Sequence, residues 1–134
     1  MWGCVVKKIL CIDDSPNLLQ MLKKRFEMEL PDVTVFNAAN GREGIETARR
    51  EHPDLIILDI TMPDMSGYEV LEVLKRSTNL AEDEHPTTDI PVVMLTSHGP
   101  EEKGKYIQAG AIDYISSPFD TLELIGRIQS ILNK

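Results

Sequence analysis

The chain has 134 residues, 42% of them hydrophobic and 27% charged, which suits one domain with its own core. Its 22 Asp and Glu against 14 Lys and Arg give a net charge of −8, which argues against a nucleic-acid or anionic-membrane binder, since either needs a basic footprint. Two cysteines, Cys4 and Cys11, exclude a disulfide framework and fit a reducing, cytoplasmic setting.

The start of the chain lacks the basic segment and apolar run of a secretory signal. Its apolar runs of about four residues fall far short of the ~20 that a membrane helix needs. Ile9-Leu10-Cys11-Ile12 reads as a short buried strand. Ser15 as N-cap and Pro16 at the first helical position then open a helix carrying Leu19, Leu22 and Phe26 on one face. Lys23, Lys24 and Arg25 fill its solvated side. Val33 to Phe36 is the second strand. A weaker helix follows over residues 42–51, with Gly41 and Gly44 lowering its propensity. Leu55-Ile56-Ile57-Leu58 is the clearest buried strand, and Pro63 to Gly67 is turn chemistry. A third helix runs over 67–75 with Val70, Leu71 and Leu74 apolar. Residues 77–89, polar and acidic with Pro86, read as a loop longer than the usual connection of about 2–6 residues. Pro91 to Leu95 is the fourth strand. A short helix over 101–109 ends at Gly110, Ile112 to Ile115 is the fifth strand, and a last helix spans 121–132.

Five apolar strands alternating with helices imply an α/β fold with a parallel sheet covered on both faces. The expected architecture is doubly wound and flavodoxin-like, a five-stranded (βα)5 sheet of order 2-1-3-4-5. It is expected as one domain over 1–134, with its core at about 7–133 and no second, output domain within these residues. In such a sheet the carboxyl ends of the strands share one edge, where ligands bind. Asp13 and Asp14 end the first strand, Asp59 the third, Thr96 the fourth, and Ser116 and Ser117 the fifth. Strands one and three are neighbours in this order, so three carboxylates converge. Either one of them is protonated or a cation neutralises them. Hard oxygen ligands favour Mg²⁺, which usually takes one or two carboxylates plus a phosphate oxygen. Phosphoryl chemistry on a carboxylate nucleophile is therefore the leading idea, with Thr96 donating a hydrogen bond to the developing charge. Read singly, Thr96 is a strand-end hydroxyl satisfied by backbone, Tyr114 a half-buried aromatic, His98 a solvated loop residue and His52 a helix-terminus residue. No two histidines have ligand spacing, which argues against zinc.

Residues 9–15, 55–67, 91–97 and 109–115, with Pro118-Phe119, together resemble the response-regulator receiver domain of two-component signalling. The resemblance implies that Asp59 accepts a phosphoryl group from a sensor histidine kinase or phosphotransfer protein. Asp13, Asp14, Asp59 and the Thr61 backbone carbonyl would hold Mg²⁺. Thr96 would be the switch hydroxyl and Tyr114 the aromatic switch, while Thr61 and His98 would tune dephosphorylation. The surface of helix four, strand five and helix five would carry output to a protein target, a homodimer through that surface included. No direct contact with nucleic acid or membrane is implied. The chain would turn over only its own phosphoryl bond and act as no enzyme on outside substrates.

One position departs from the family. Ser117 stands where the family has lysine before the proline. Three carboxylates and Mg²⁺ leave about −1 by formal count, and a phosphoryl group adds about −1.5 to −2 with no ammonium to cancel it. The expected consequence is slower phosphorylation, weaker coupling to the switch or loss of phosphate signalling. Lys103 and Lys105 are the candidate substitutes, and the peptide before Pro118 is expected cis, as in the family. The alternative is a degenerate receiver, a protein-interaction module independent of phosphorylation. An aspartyl phosphatase is disfavoured because Thr61 stands where its second Asp is expected. A nucleotide binder is disfavoured because no glycine-rich loop follows the first strand.

Overall fold

Five short apolar runs pair side by side because each is bounded by turn residues and followed by a helix that carries the chain back. The computed structural model describes residues 6–76 and 85–133. The order along the chain is β1 (Lys7–Ile12), α1 (Pro16–Glu29), β2 (Val33–Ala38), α2 (Gly41–Glu51), β3 (Leu55–Leu58), α3 (Gly67–Leu74), β4 (Val92–Thr96), α4 (Lys103–Gln108), β5 (Asp113–Ser116) and α5 (Thr121–Leu132), with a 3₁₀ turn over Pro100–Glu102. The sheet has the expected order β2-β1-β3-β4-β5, and every neighbouring pair is parallel.

The period-two alternation of the strands divides the core into two layers. Leu10, Ile12, Ile56, Leu58, Val92 and Met94 face α2, α3 and α4, where Ala48, Val70, Leu71, Leu74 and Tyr106 meet them. Ile9, Cys11, Leu55, Ile57, Val93 and Leu95 face α1 and α5, meeting Leu22, Phe26, Leu124 and Ile128. Cys11 is fully enclosed, and burial pushes its thiol up to about 12, so it acts as a small apolar residue.

Ser15 accepts the Leu18 amide at 3.3 Å as expected, whereas Ser66, read only as turn chemistry, forms with Glu69 a capping box on α3. Gly110 takes φ +116° just past α4, as its placement predicts. Gly44 has a packing role: a Cβ there would stand 2.5 Å from Ile12 Cδ1, so glycine lets α2 lie against β1.

Several boundaries differ from expectation. β1 and β2 begin or run on through Lys7, Lys8, Asn37 and Ala38, because ladder pairing of Lys7 with Val33 and Ile12 with Ala38 uses backbone and tolerates polar side chains. The fifth strand starts one residue late. Ile112 is 49% exposed at the foot of an edge strand, which has a neighbour on one side only. The helix expected over 101–109 is a 3₁₀ turn over Pro100–Glu102 followed by the short α4 over Lys103–Gln108. Of the expected loop, residues 77–84 lie outside the described residues, as do Trp2 and Cys4. The rest is tied down: His85 N–H donates to Arg49 O at 2.8 Å, Thr87 Oγ1 to Leu74 O at 2.7 Å, and Lys75 Nζ to Ile90 O at 2.7 Å. Among the described residues no helix is long and apolar enough to cross a membrane.

Candidate functional site

The register of β1 against β3 sets the site. Ile12 pairs with Leu58, so the residues that follow, Asp13 and Asp59, leave the sheet side by side. The Asp59 amide donates to Ile12 O at 3.0 Å and the Asp13 amide to Ala38 O at 3.1 Å, continuing the ladder by one bond each. Carboxylate oxygens of Asp13, Asp14 and Asp59 lie within 4.8 Å of one another. The predicted convergence is what the fold delivers.

Local bonds aim these groups. Asp13 Oδ1 accepts the Ser15 amide at 2.8 Å, a turn that also presents Ser15 as the α1 cap. Asp59 Oδ1 accepts the Ile60 amide at 2.8 Å. Gly67 packs directly on this segment. A Cβ at Gly67 would fall 2.2 Å from the Asp59 carbonyl oxygen, so only glycine lets α3 begin there. Asp13 is buried at 7% exposure, and that burial pushes its carboxyl up to about 6, with the charges of Asp59 and Asp14 adding and the Ser15 amide opposing. Asp59 is also raised, by burial first and by the Asp14 charge, against the amides of Ile60 and Thr61. Three crowded oxygen donors, two of them resisting ionisation, fit a hard divalent cation such as Mg²⁺.

Asp13, Asp14 and Asp59 open on a cleft of about 220 Å³, shared with Thr96, Ser117 and Phe119. Thr96 is buried, and its hydroxyl oxygen accepts the His98 amide at 3.0 Å, the backbone tie expected of a strand-end threonine. The Ser117 amide donates to Thr96 O at 2.6 Å, which brings Ser117 beside the cleft, and the peptide between Ser117 and Pro118 is cis. No basic side chain lines the cleft among the described residues. Neither candidate substitute reaches it: Lys105 Nζ stands 4.6 Å over the Tyr68 ring, and Lys103 lines a separate cavity beside Tyr114 and Ser116. Substitution by Lys103 or Lys105 is not supported, because neither side chain borders the cleft.

Thr61 and His98, distant in sequence, meet close to Asp59. Thr61 Oγ1 is 2.8 Å from His98 Nε2, and His98 Nδ1 is 3.0 Å from Glu102 Oε2. A carboxylate can only accept, so Nδ1 carries the proton, and in the neutral ring Nε2 accepts from the Thr61 hydroxyl. His98 is therefore engaged on both sides while its side chain keeps 40% exposure, a solvated loop residue held in place. Glu102 went unmarked in the sequence; its signal was the spacing of four residues from His98. Tyr114 is turned inward at 5% exposure, its hydroxyl donating to Gly99 O at 2.8 Å. Its ring packs on Tyr106, with centroids 5.7 Å apart, so it is buried where a half-buried aromatic was expected.

A profile of the response regulator receiver domain matches residues 9–129. Among curated proteins the chain is 37% identical over 128 residues to the DNA-binding dual master transcriptional regulator RpaA of Synechocystis, covering 95% of this chain and 49% of that one. It is 32% identical over 129 residues to the alkaline phosphatase synthesis transcriptional regulatory protein PhoP of Bacillus subtilis, covering 96% and 49% respectively. The chain thus spans about half the length of the curated relatives it matches. Among solved structures it superposes on a CheY-like response regulator receiver domain protein from Methanospirillum hungatei with a TM-score of 0.83 and 28% identity, covering 96% of this chain and 95% of that one.

Proposed function

Because the chain belongs to the response-regulator receiver family of two-component signalling, we propose that it accepts a phosphoryl group on Asp59 from the phosphohistidine of a sensor kinase or phosphotransfer protein. The observation that carries this reading is the cluster of Asp13, Asp14 and Asp59, with Asp59 bordering the same cleft as the Thr96 hydroxyl. An Asp59 carboxylate oxygen attacks phosphorus, and the bond from phosphorus to the donor nitrogen breaks. Asp13, Asp14, Asp59 and the Thr61 carbonyl would hold Mg²⁺, which when bound supplies positive charge to the phosphoryl oxygens. Thr96 supplies a hydroxyl donor once its bond to the His98 amide is exchanged for one to the phosphoryl group. Tyr114, tied to Gly99 in the same β4–α4 loop, is placed to follow that exchange. Thr61 and His98 stand close to Asp59, where they govern the approach of water to the acyl phosphate.

Ser117 makes the site one positive charge poorer than the family's. The reading is therefore a slow acceptor that still works, whose output surface is α4, β5 and α5, used to engage a protein target or a second copy.

Intact-mass measurement after incubation with acetyl phosphate tests this. One phosphoryl group should add in Mg²⁺, none with chelator, and none to Asp59→Asn. Ser117→Lys should accelerate the gain. If the native chain and Ser117→Lys both stay unmodified, the acceptor reading fails. If only Ser117→Lys gains mass, the chain is a degenerate receiver that acts through protein contacts without phosphorylation.

A further inference from the structure

Two of the three histidines meet at the edge of the sheet opposite the acidic cleft, although 33 positions separate them. His52 closes α2 in the left-handed conformation at φ 45°, its amide bonded to Ala48 O at 2.9 Å. The His85 backbone is pinned to the same helix end through Arg49 O. Their rings stand edge to face, with centroids 5.6 Å apart and planes at 61°. Asp89 Oδ1 lies 3.3 Å from His52 Nε2. The turn carrying Asp89 is fixed by Ile90 N–H on Thr87 O and by Thr87 Oγ1 on Leu74 O.

We propose that His52, His85 and Asp89 form a second metal site, for a borderline transition-metal dication such as Zn²⁺. Imidazole donors favour zinc, copper and nickel, whereas the all-oxygen cleft favours Mg²⁺, so the two sites differ in chemistry. Zinc bonds of about 2.1 Å at the tetrahedral angle set neighbouring donor atoms about 3.4 Å apart. The His52–Asp89 separation of 3.3 Å already has this value. Two imidazoles sharing such an ion have centroids about 5 Å apart. The ring centroids stand 5.6 Å apart and the donor atoms of the three side chains do not all lie within 4.8 Å of one another, so the His85 side chain turns to bring a ring nitrogen to the ion. His52 and Asp89 side chains are 40% and 70% exposed, so the ion enters without opening the core, and water completes the shell. Backbone bonds hold all three residues in place beforehand, which limits the ordering cost to side chains. The site precedes β3 and β4, at the opposite strand ends from Asp13 and Asp59, so the two fill independently. Filled, it would brace the end of α2 against the segment entering β4.

The test is a ZnCl₂ titration of the full chain in saturating Mg²⁺, read by imidazole proton NMR and thermal unfolding. One equivalent should shift the His52 and His85 ring signals and leave His98 unmoved. At zinc about a hundredfold above Kd the melting temperature should rise by about 10 °C. His85→Ala, Asp89→Asn and His52→Asn, the last keeping a residue that tolerates the left-handed cap, should each weaken binding at least about tenfold. The proposal is overturned by no binding at about 1 mM zinc, by affinity unchanged in His85→Ala, or by shifts confined to His98 and the acidic cleft.

Discussion

Asp13 shows how one buried carboxylate links site and stability. Its folded value of about 6 exceeds the ordinary 3.8, so the folded chain holds that proton more tightly than the unfolded chain. Stability is thus favoured below the ordinary value and falls as pH rises through about 4 to 6. Asp13→Asn should remove that loss and stabilise the metal-free chain at pH 7 by about 1–3 kcal/mol in urea unfolding. Mg²⁺ should stabilise the native chain more at pH 7 than at pH 5, since its ligands must be ionised, and should do little for the variant. Equal effects at both pH values would contradict this. The acidic cluster was legible because strand ends in a parallel sheet share an edge, and Asp13, Asp14 and Asp59 each follow an apolar run. The bond between His98 and Glu102 was not, since it depends on the 3₁₀ turn over Pro100–Glu102. Nor was the meeting of His52 with His85, which depends on the path of the segment entering β4.

At the scale of elements, helix starts and close approaches fix how the strands present their ends. Asp64 was read as a turn residue, yet its carboxylate accepts the amides of Gly41 and Arg42 at 2.9 and 3.0 Å, capping α2 from another loop alongside Asn40. These amides hold its carboxyl below the ordinary value. Asp64→Ala should cost about 0.5–2 kcal/mol at neutral pH, measured by urea unfolding. Gly44→Ala is a sharper case. Helix propensity alone would favour alanine by about 1 kcal/mol. The added methyl meets Ile12 Cδ1 at 2.5 Å, and overpacking of this kind costs about 1–3 kcal/mol. A net loss of stability is expected; a gain would mean that α2 can move away from β1 freely. The sequence showed this glycine only as a weak point in a helix. Propensity is local, while the contact that requires glycine lies across the fold.

Over the whole molecule, one sheet divides two apolar layers that share every strand. Ile56 faces one layer and Ile57 the other, as neighbours on β3. Ile56→Ala and Ile57→Ala should each cost about 2–5 kcal/mol and shift one common transition, because neither layer persists without the sheet. Two separable transitions by circular dichroism would refute that coupling. The fold class, strand order and both core faces could be read from alternation and run length. The start of β5 could not, because Ile112 is apolar but sits exposed at the corner of an edge strand. Ser117, an uncharged residue at the cleft, was legible from its place just after β5. That neither Lys103 nor Lys105 borders the cleft emerged only from the fold.

In the proposed function Asp59, and no other residue, carries the phosphoryl group. Treating the chain with acetyl phosphate and Mg²⁺, reducing it with borohydride and mapping its peptides by mass spectrometry addresses this directly. Reduction converts an aspartyl phosphate to homoserine. Homoserine at position 59 alone, in Mg²⁺ and absent with chelator, is the expected result. An unmodified chain, or a product at Asp13, Asp14 or Thr61 in its place, would contradict it.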